Sequence, residues 1–186
     1  LKDKFGKKIV THDGGANGFL SKTVLVPEDK FGYVILTNSD GQYLFDAIDA
    51  QIMNDLTNQP YVNVSAVYYK GFKEGYDEEQ KAIKELKKEV AAYKAPTDAY
   101  KKIAGVYSNK VYGKITIEAK DGFAEVSFEF HPQYKGNIKF KSPTAMMIEY
   151  NDSSSLGVKE INVSDKTIEI KVNAFLDMDT YLFTKI

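Results

Sequence analysis

The 186-residue chain contains no cysteine, which removes disulfides and thiolate metal sites and leaves the redox compartment undetermined. It contains no arginine either, since all 25 basic residues are lysine. The side chain best suited to clamping a carboxylate or phosphate through two parallel hydrogen bonds is therefore missing. Neither charge sign dominates. With 26 acidic residues the formal net charge is -1, so the chain has no broad electrostatic attraction for nucleic acid. No apolar run approaches the roughly 20 residues needed to span a bilayer as a helix. A secretory signal would lie upstream if the chain is a fragment.

What is present divides into three segments. Residues 1–58 read as three strands and a helix. Val24, Val26 and the run Tyr33-Val34-Ile35-Leu36 have strand composition, and Pro27 and Gly32 bracket a turn. After a capping cluster at Asn38-Ser39-Asp40-Gly41, Phe45, Ile48, Ile52 and Leu56 recur at helical spacing. Residues 59–102 read as a connector, aromatic and irregular from Tyr61 to Tyr76. A capping box at Asp77-Glu78-Glu79-Gln80 then opens an amphipathic helix carrying Ile83, Leu86, Val90 and Tyr93, and Pro96 ends it. Acidic and basic residues share its polar face, which argues for packing on a neighbouring domain over lying on a membrane.

Residues 103–186 read as about eight short strands, the pattern of a barrel or sandwich. Ile115, Ile117 and Ala119 alternate with polar residues, as do Ala124, Val126, Phe128 and Phe130, and Ile168, Ile170 and Val172. Asp121-Gly122 is a hairpin turn. Asp177-Met178-Asp179 reads as a strand-end turn and lacks the spaced acidic pattern of a calcium loop. Large residues on strands (Phe128, Phe130, Phe140, Met147) favour a filled interior, although a barrel of this size can also be hollow.

The densest signal lies near the start, in Lys8-Ile-Val-Thr-His12-Asp13-Gly14-Gly15-Ala16-Asn17-Gly18-Phe19. Thr23-Val-Leu-Val-Pro27 and Gly32-Tyr-Val-Ile-Leu-Thr-Asn38 follow it. A strand entering a His-x-Gly turn, then two strands joined through Pro and Gly, resembles the third active-site motif of the serine β-lactamase-related hydrolases. That is the class C and penicillin-binding-protein-like group, in its His-x-Gly branch. The order Tyr100, Ala104-Gly-Val-Tyr107, Ile115-Thr-Ile117, Asp121-Gly122 and Tyr181-Leu-Phe-Thr184 resembles the lipocalin-like barrel often appended to such enzymes.

The resemblance implies an α+β chain: a C-terminal sheet-plus-helix remnant of a β-lactamase-like catalytic domain (1–58), a helical connector (59–102) and an all-β lipocalin-like barrel (103–186). It implies that Gly15 gives a backbone N–H to an oxyanion hole and that His12 takes the place of the usual lysine. Asp13, Gly14 and Asn17 become substrate-binding positions, with Gly14 letting substrate approach the strand. The physics suits these residues. An edge strand offers unpaired amides, and glycine removes the side chain that would block them. Histidine as a residue type changes charge near neutral pH. Asp13 departs from the family's threonine and argues against recognition of a β-lactam carboxylate.

The other family motifs are missing. No serine is followed three residues later by lysine, and Tyr61-Val-Asn63 and Tyr107-Ser-Asn109 match Tyr-x-Asn only on the wrong side of His12. Loss of a nucleophile costs on the order of 10⁶ in turnover, so this chain alone should be inert. The expectation is a C-terminal fragment of a hydrolase (esterase, peptidase or amide hydrolase) whose parent is bacterial and periplasmic or cell-envelope. Its first partner would be the missing N-terminal part of the catalytic domain, with a homodimer or swapped arrangement through residues 1–58 as a further expectation. An ester, amide or peptide would be the substrate of the parent, and nucleic acid is not expected. No cofactor is called for: His12 and His131 could make a zinc site only with carboxylates. The rival reading is a lipocalin-like binding or interaction module without catalysis.

Overall fold

The computed structural model describes residues 2–4, 6–16, 18–39, 43–151, 157–164, 166–172 and 179–186. The described chain forms two compact units, 1–79 and 80–186. Asn17, Asp40, Gly41, Asp177 and Met178, to which the sequence assigns substrate-binding, capping and turn positions, lie outside the described residues.

In the first unit, β1 (Lys2–Lys4), β2 (Lys7–Ala16), β3 (Phe19–Val26) and β4 (Phe31–Thr37) form an antiparallel sheet in sequence order. The three expected strands are β2, β3 and β4; β1 is an addition, pairing only with Lys7–Ile9. A 3₁₀ turn at Pro27–Asp29 joins β3 to β4, with Lys30 in the left-handed region at φ 50°. Helix α1 (Leu44–Leu56) covers one face of the sheet, where Ile9, Val24, Val26 and Met53 are buried and Tyr33 and Leu56 pack against them.

The facing of α1 differs in part from the apolar stripe. Ala47 and Met53 are its buried residues, whereas Ile48 is exposed. Phe45, against the Lys22 ammonium, and Leu56, against the sheet core, do face the sheet as the stripe expects, and Asp46 and Asp49 reach it beside them, because a buried lysine there needs carboxylates.

Helix α2 (Val64–Ala92) is continuous, which corrects the irregular stretch to Tyr76 and the capping box at Asp77. Asp77 lies mid-helix and pairs with Lys73 at 2.6 Å. The cap is Asn63, whose Oδ1 accepts the Ala66 N–H at 3.0 Å. Gly71 and Gly75 lie within it, and each costs only about 1 kcal/mol against alanine in a helix, too little to outweigh 29 residues of ladder.

In the second unit, α3 (Ala99–Ile103) precedes eight strands: β5 (Gly105–Asn109), β6 (Gly113–Lys120), β7 (Phe123–Phe128), β8 (His131–Phe140), β9 (Ala145–Tyr150), β10 (Val158–Val163), β11 (Thr167–Ile170) and β12 (Tyr181–Lys185). They form a closed antiparallel barrel, each strand pairing with the next and β12 returning to β5. Closure removes the free edges that an open sheet leaves. Asp121-Gly122 makes the expected two-residue turn between Lys120 and Phe123, with Gly122 at φ +77°.

Side chains fill the barrel. Ile115, Ile138, Met146, Ile148, Ile168 and Phe183 are among those sealed from solvent. A Cβ on Gly136 would sit 2.8 Å from Ile148 Cδ1 and 3.0 Å from Val126 Cγ1, so even a methyl group has no room there. Not every bulky residue goes inside. Phe140 does, stacking edge-on against Tyr100 of α3, but Met147 is buried on the outer face, where the Lys87–Glu149 ion pair of 2.7 Å holds the last turns of α2. Phe130 is exposed in the turn after β7, because that strand ends at Phe128 and its alternation ends with it. The Tyr107 hydroxyl donates to the Ile103 carbonyl at 2.8 Å, tying α3 to the barrel.

Gly136→Ala is expected to destabilise the chain by about 1–3 kcal/mol, the usual cost of forcing a methyl group into a filled core. Urea denaturation checks it. A stability equal to wild type would show that the barrel has internal room.

Candidate functional site

Strand β2 carries His12, Asp13, Gly14 and Gly15, paired across to Thr23, Lys22, Ser21 and Leu20 of β3. Successive side chains of a strand leave on opposite faces. Asp13 shares with Lys22 the face covered by α1, and His12 leaves on the other face, exposed beside Thr23. The structure therefore brings the motif together as backbone and separates the His12 and Asp13 side chains. Beyond Ile9, no described strand pairs with the outer edge of β2. Alternate residues of that stretch turn their N–H and C=O groups outward. Gly14 closes onto β3: the Ser21 hydroxyl donates to its carbonyl at 3.3 Å, and a Cβ there would lie 2.7 Å from Ser21 Oγ.

Under the motif lies a charge cluster that the sequence reading missed. Lys22 is the one buried charged residue among the described residues. Its ammonium is 2.8 Å from Asp46, 3.6 Å from Asp49 and 3.7 Å from Asp13, and it lies 4.8 Å from the centre of the Phe45 ring. The Tyr33 hydroxyl donates to Asp49. Burial disfavours the Lys22 ammonium, but the Asp46 hydrogen bond and the Asp49, Asp46 and Asp13 charges outweigh it and hold its pKa above the ordinary lysine value. Burial first, then the bond and charge of Asp49, push the Tyr33 phenol well above its ordinary range. A signal was available. Lys22 interrupts the inward series Leu20, Val24, Val26, and Asp46 and Asp49 are three apart, hence on one helix face.

The opposite sheet face is bare. Val10, Leu25, Val34 and Leu36 lie on it by register and are all exposed, as is Phe19. The other expected candidates have structural roles. Tyr107 is sealed in the barrel, and Asn109 accepts the Val111 and Tyr112 amides at 2.8 and 3.1 Å. His131 begins β8 as an exposed side chain, 5.9 Å ring to ring from Tyr134.

Lys22→Met should cost about 3 kcal/mol, the low end for breaking a buried pair, because the three aspartates it would abandon are partly exposed. The raised pKa values have a sign. Stability from Lys22 and Tyr33 is fully present below their unfolded values of 10.5 and 10.0 and is lost as pH climbs through the higher folded values. Alkaline denaturation should therefore steepen above about pH 10, and Tyr33→Phe should flatten it. An unchanged alkaline profile would contradict the assignment.

No family model matches the chain, and no curated protein matches it. Among solved structures it is similar to the octameric penicillin-binding protein homologue from Pyrococcus abyssi, at 16% identity and a TM-score of 0.29. The match covers 95% of this chain and 34% of that one, so the chain spans about a third of that protein's length. A superposition that loose carries neither fold nor chemistry, and no family is assigned on it.

Proposed function

We propose that residues 1–58 form one wall of a serine-hydrolase active site of the β-lactamase-related kind, completed by polypeptide outside this sequence. The observation that supports it most is the His12–Gly15 stretch on an unpaired strand edge beside glycines. That edge is where amide donors for a developing oxyanion would be accessible, with Gly15 as the proposed donor. His12 is the proposed polar group at the strand's exposed face, and Asp13, Gly14 and Asn17 are proposed substrate positions. The part of the bare sheet face that carries Val10, Leu25 and Val34, outside the stretch around Phe19 and Leu36, and the outer edge of β4 support the second half of the reading. Apolar side chains and unpaired strand groups of this kind are normally covered by further chain or by a second copy. The covering piece would carry the nucleophilic serine and its base. Esters, amides or peptides would be the substrates, and the compartment would be the periplasm or cell envelope.

The chain by itself should not hydrolyse a chromogenic ester above background, whereas the protein including its upstream sequence should. In that longer protein, Gly15→Pro should lower kcat about 10²–10³-fold by removing one donor. Folded protein with unchanged turnover would overturn the assignment of Gly15. An upstream sequence without Ser-x-x-Lys would overturn the hydrolase reading itself. Without its covering piece, the chain should self-associate through residues 1–58, and sedimentation giving a strict monomer at millimolar concentration would contradict this. The alternative is a binding module centred on the barrel. Its interior is filled, so that reading falls back on a groove of about 710 Å³ at the barrel mouth, between α3 and the Pro143 turn.

A further inference from the structure

A cavity of about 300 Å³ opens directly beside the motif, walled by Gly14, Gly15 and Ala16 of β2, Phe19 and Ser21 of β3, and Leu36 of β4. Its volume is at the small end for a ligand site, with room for one ring or a short acyl chain. No charged side chain lines it. Its hydroxyls are committed to backbone: Ser21 Oγ donates to the Gly14 carbonyl at 3.3 Å, and Thr37 Oγ1 to the Ser39 carbonyl at 3.0 Å. Phe19 and Leu36 stand 60% and 75% exposed at its rim, a large uncovered apolar area next to the proposed amide donors. The neighbouring cation on β3, Lys22, leaves on the other face and is held by three carboxylates. His12 stands on the same face two residues before Gly14 but is not among the lining residues, so an anionic group in the cavity would shed water without meeting a counter-charge in the cavity wall.

We propose that this cavity is the subsite for a neutral, apolar group of the substrate, so that the site takes uncharged aryl or short alkyl esters or amides and discriminates against a free carboxylate. The inference rests on the hydrolase-wall reading and adds to it a substrate class and two specificity-determining residues, Phe19 and Leu36.

Binding needs no nucleophile, so the chain as it stands can be tested by following backbone amide NMR signals during titration. The probes are methyl phenylacetate, neutral, and phenylacetate, the same ring with a carboxylate. The ester should shift the amides of Gly14, Gly15, Phe19, Ser21 and Leu36, and the anion should bind at least about tenfold more weakly, given the uncompensated charge it would bury. Phe19→Ala and Leu36→Ala should each weaken ester binding about fivefold, the scale of one lost apolar contact. Leu25→Ala, on the same face outside the cavity, should leave it unchanged. Equal binding of ester and anion would overturn the proposal. So would ester shifts confined to the groove lined by Tyr43, Tyr68 and Phe72, or Phe19 and Leu36 changes that dissolve an oligomer while ester binding stays the same. A longer protein without hydrolase activity would overturn the parent reading and leave ester binding standing. Absence of ester binding would overturn the subsite whatever the hydrolysis result.

Discussion

The first unit is organised around one ammonium group. Lys22 sits on the covered face of the sheet, where an unpaired charge would be prohibitively costly, so the chain must bring carboxylates to it. Asp13 comes from the adjacent strand, and Asp46 and Asp49 come from α1. That requirement brings Asp46 and Asp49 of α1 to the sheet, while strand alternation from buried Ile9 puts Asp13 on the covered face and His12 on the other. Tyr33 completes the arrangement by donating to Asp49. The arms are unequal. Asp13 is more than half exposed and adds little by itself, whereas the bond to Asp46 ties strand to helix.

The two units solve the sheet-edge problem in different ways. The barrel closes, and its interior is packed tightly enough that Gly136 cannot take a methyl group. Among the described residues, the open sheet leaves the outer edge of β2 beyond Ile9, the outer edge of β4 and one apolar face uncovered. An active site benefits from what a stable isolated domain avoids, since free amides on a rigid strand are ready to receive a substrate carbonyl. The cavity beside Gly14 and Gly15 lies where such an edge meets the bare face.

Much of this was legible in the residues. Period-two alternation in Ile115–Ala119 and Ala124–Phe128 specifies strands with one apolar face, and the regular turn signals between them specify a meander that can close. The run from Lys8 to Thr37 specifies strand, turn and strand through Gly18, Pro27 and Gly32. Such signals are local, because backbone geometry converts each directly into structure. The sequence also determined the chemistry available: no thiol, no guanidinium, and a His-Asp-Gly-Gly stretch as the densest functional signal.

Other features depended on contacts between residues distant in sequence. That Phe130 ends in solvent follows from where β7 stops, and that Met147 is buried outside the barrel follows from α2 lying over it. The continuity of α2 through Gly71 and Gly75 outweighed a plausible capping box at Asp77, because a local propensity cost of about 1 kcal/mol is small beside a long hydrogen-bonded ladder. The apolar spacing of α1 placed Phe45 and Leu56 toward the sheet but not Asp46 and Asp49, since their partner, Lys22, lies two dozen residues earlier. The sequence by itself determined the strands, the turns and the stock of reactive groups. Only the tertiary structure decided which face each side chain took, because burying a charge is settled by partners that the fold, and not the chain order, brings within reach.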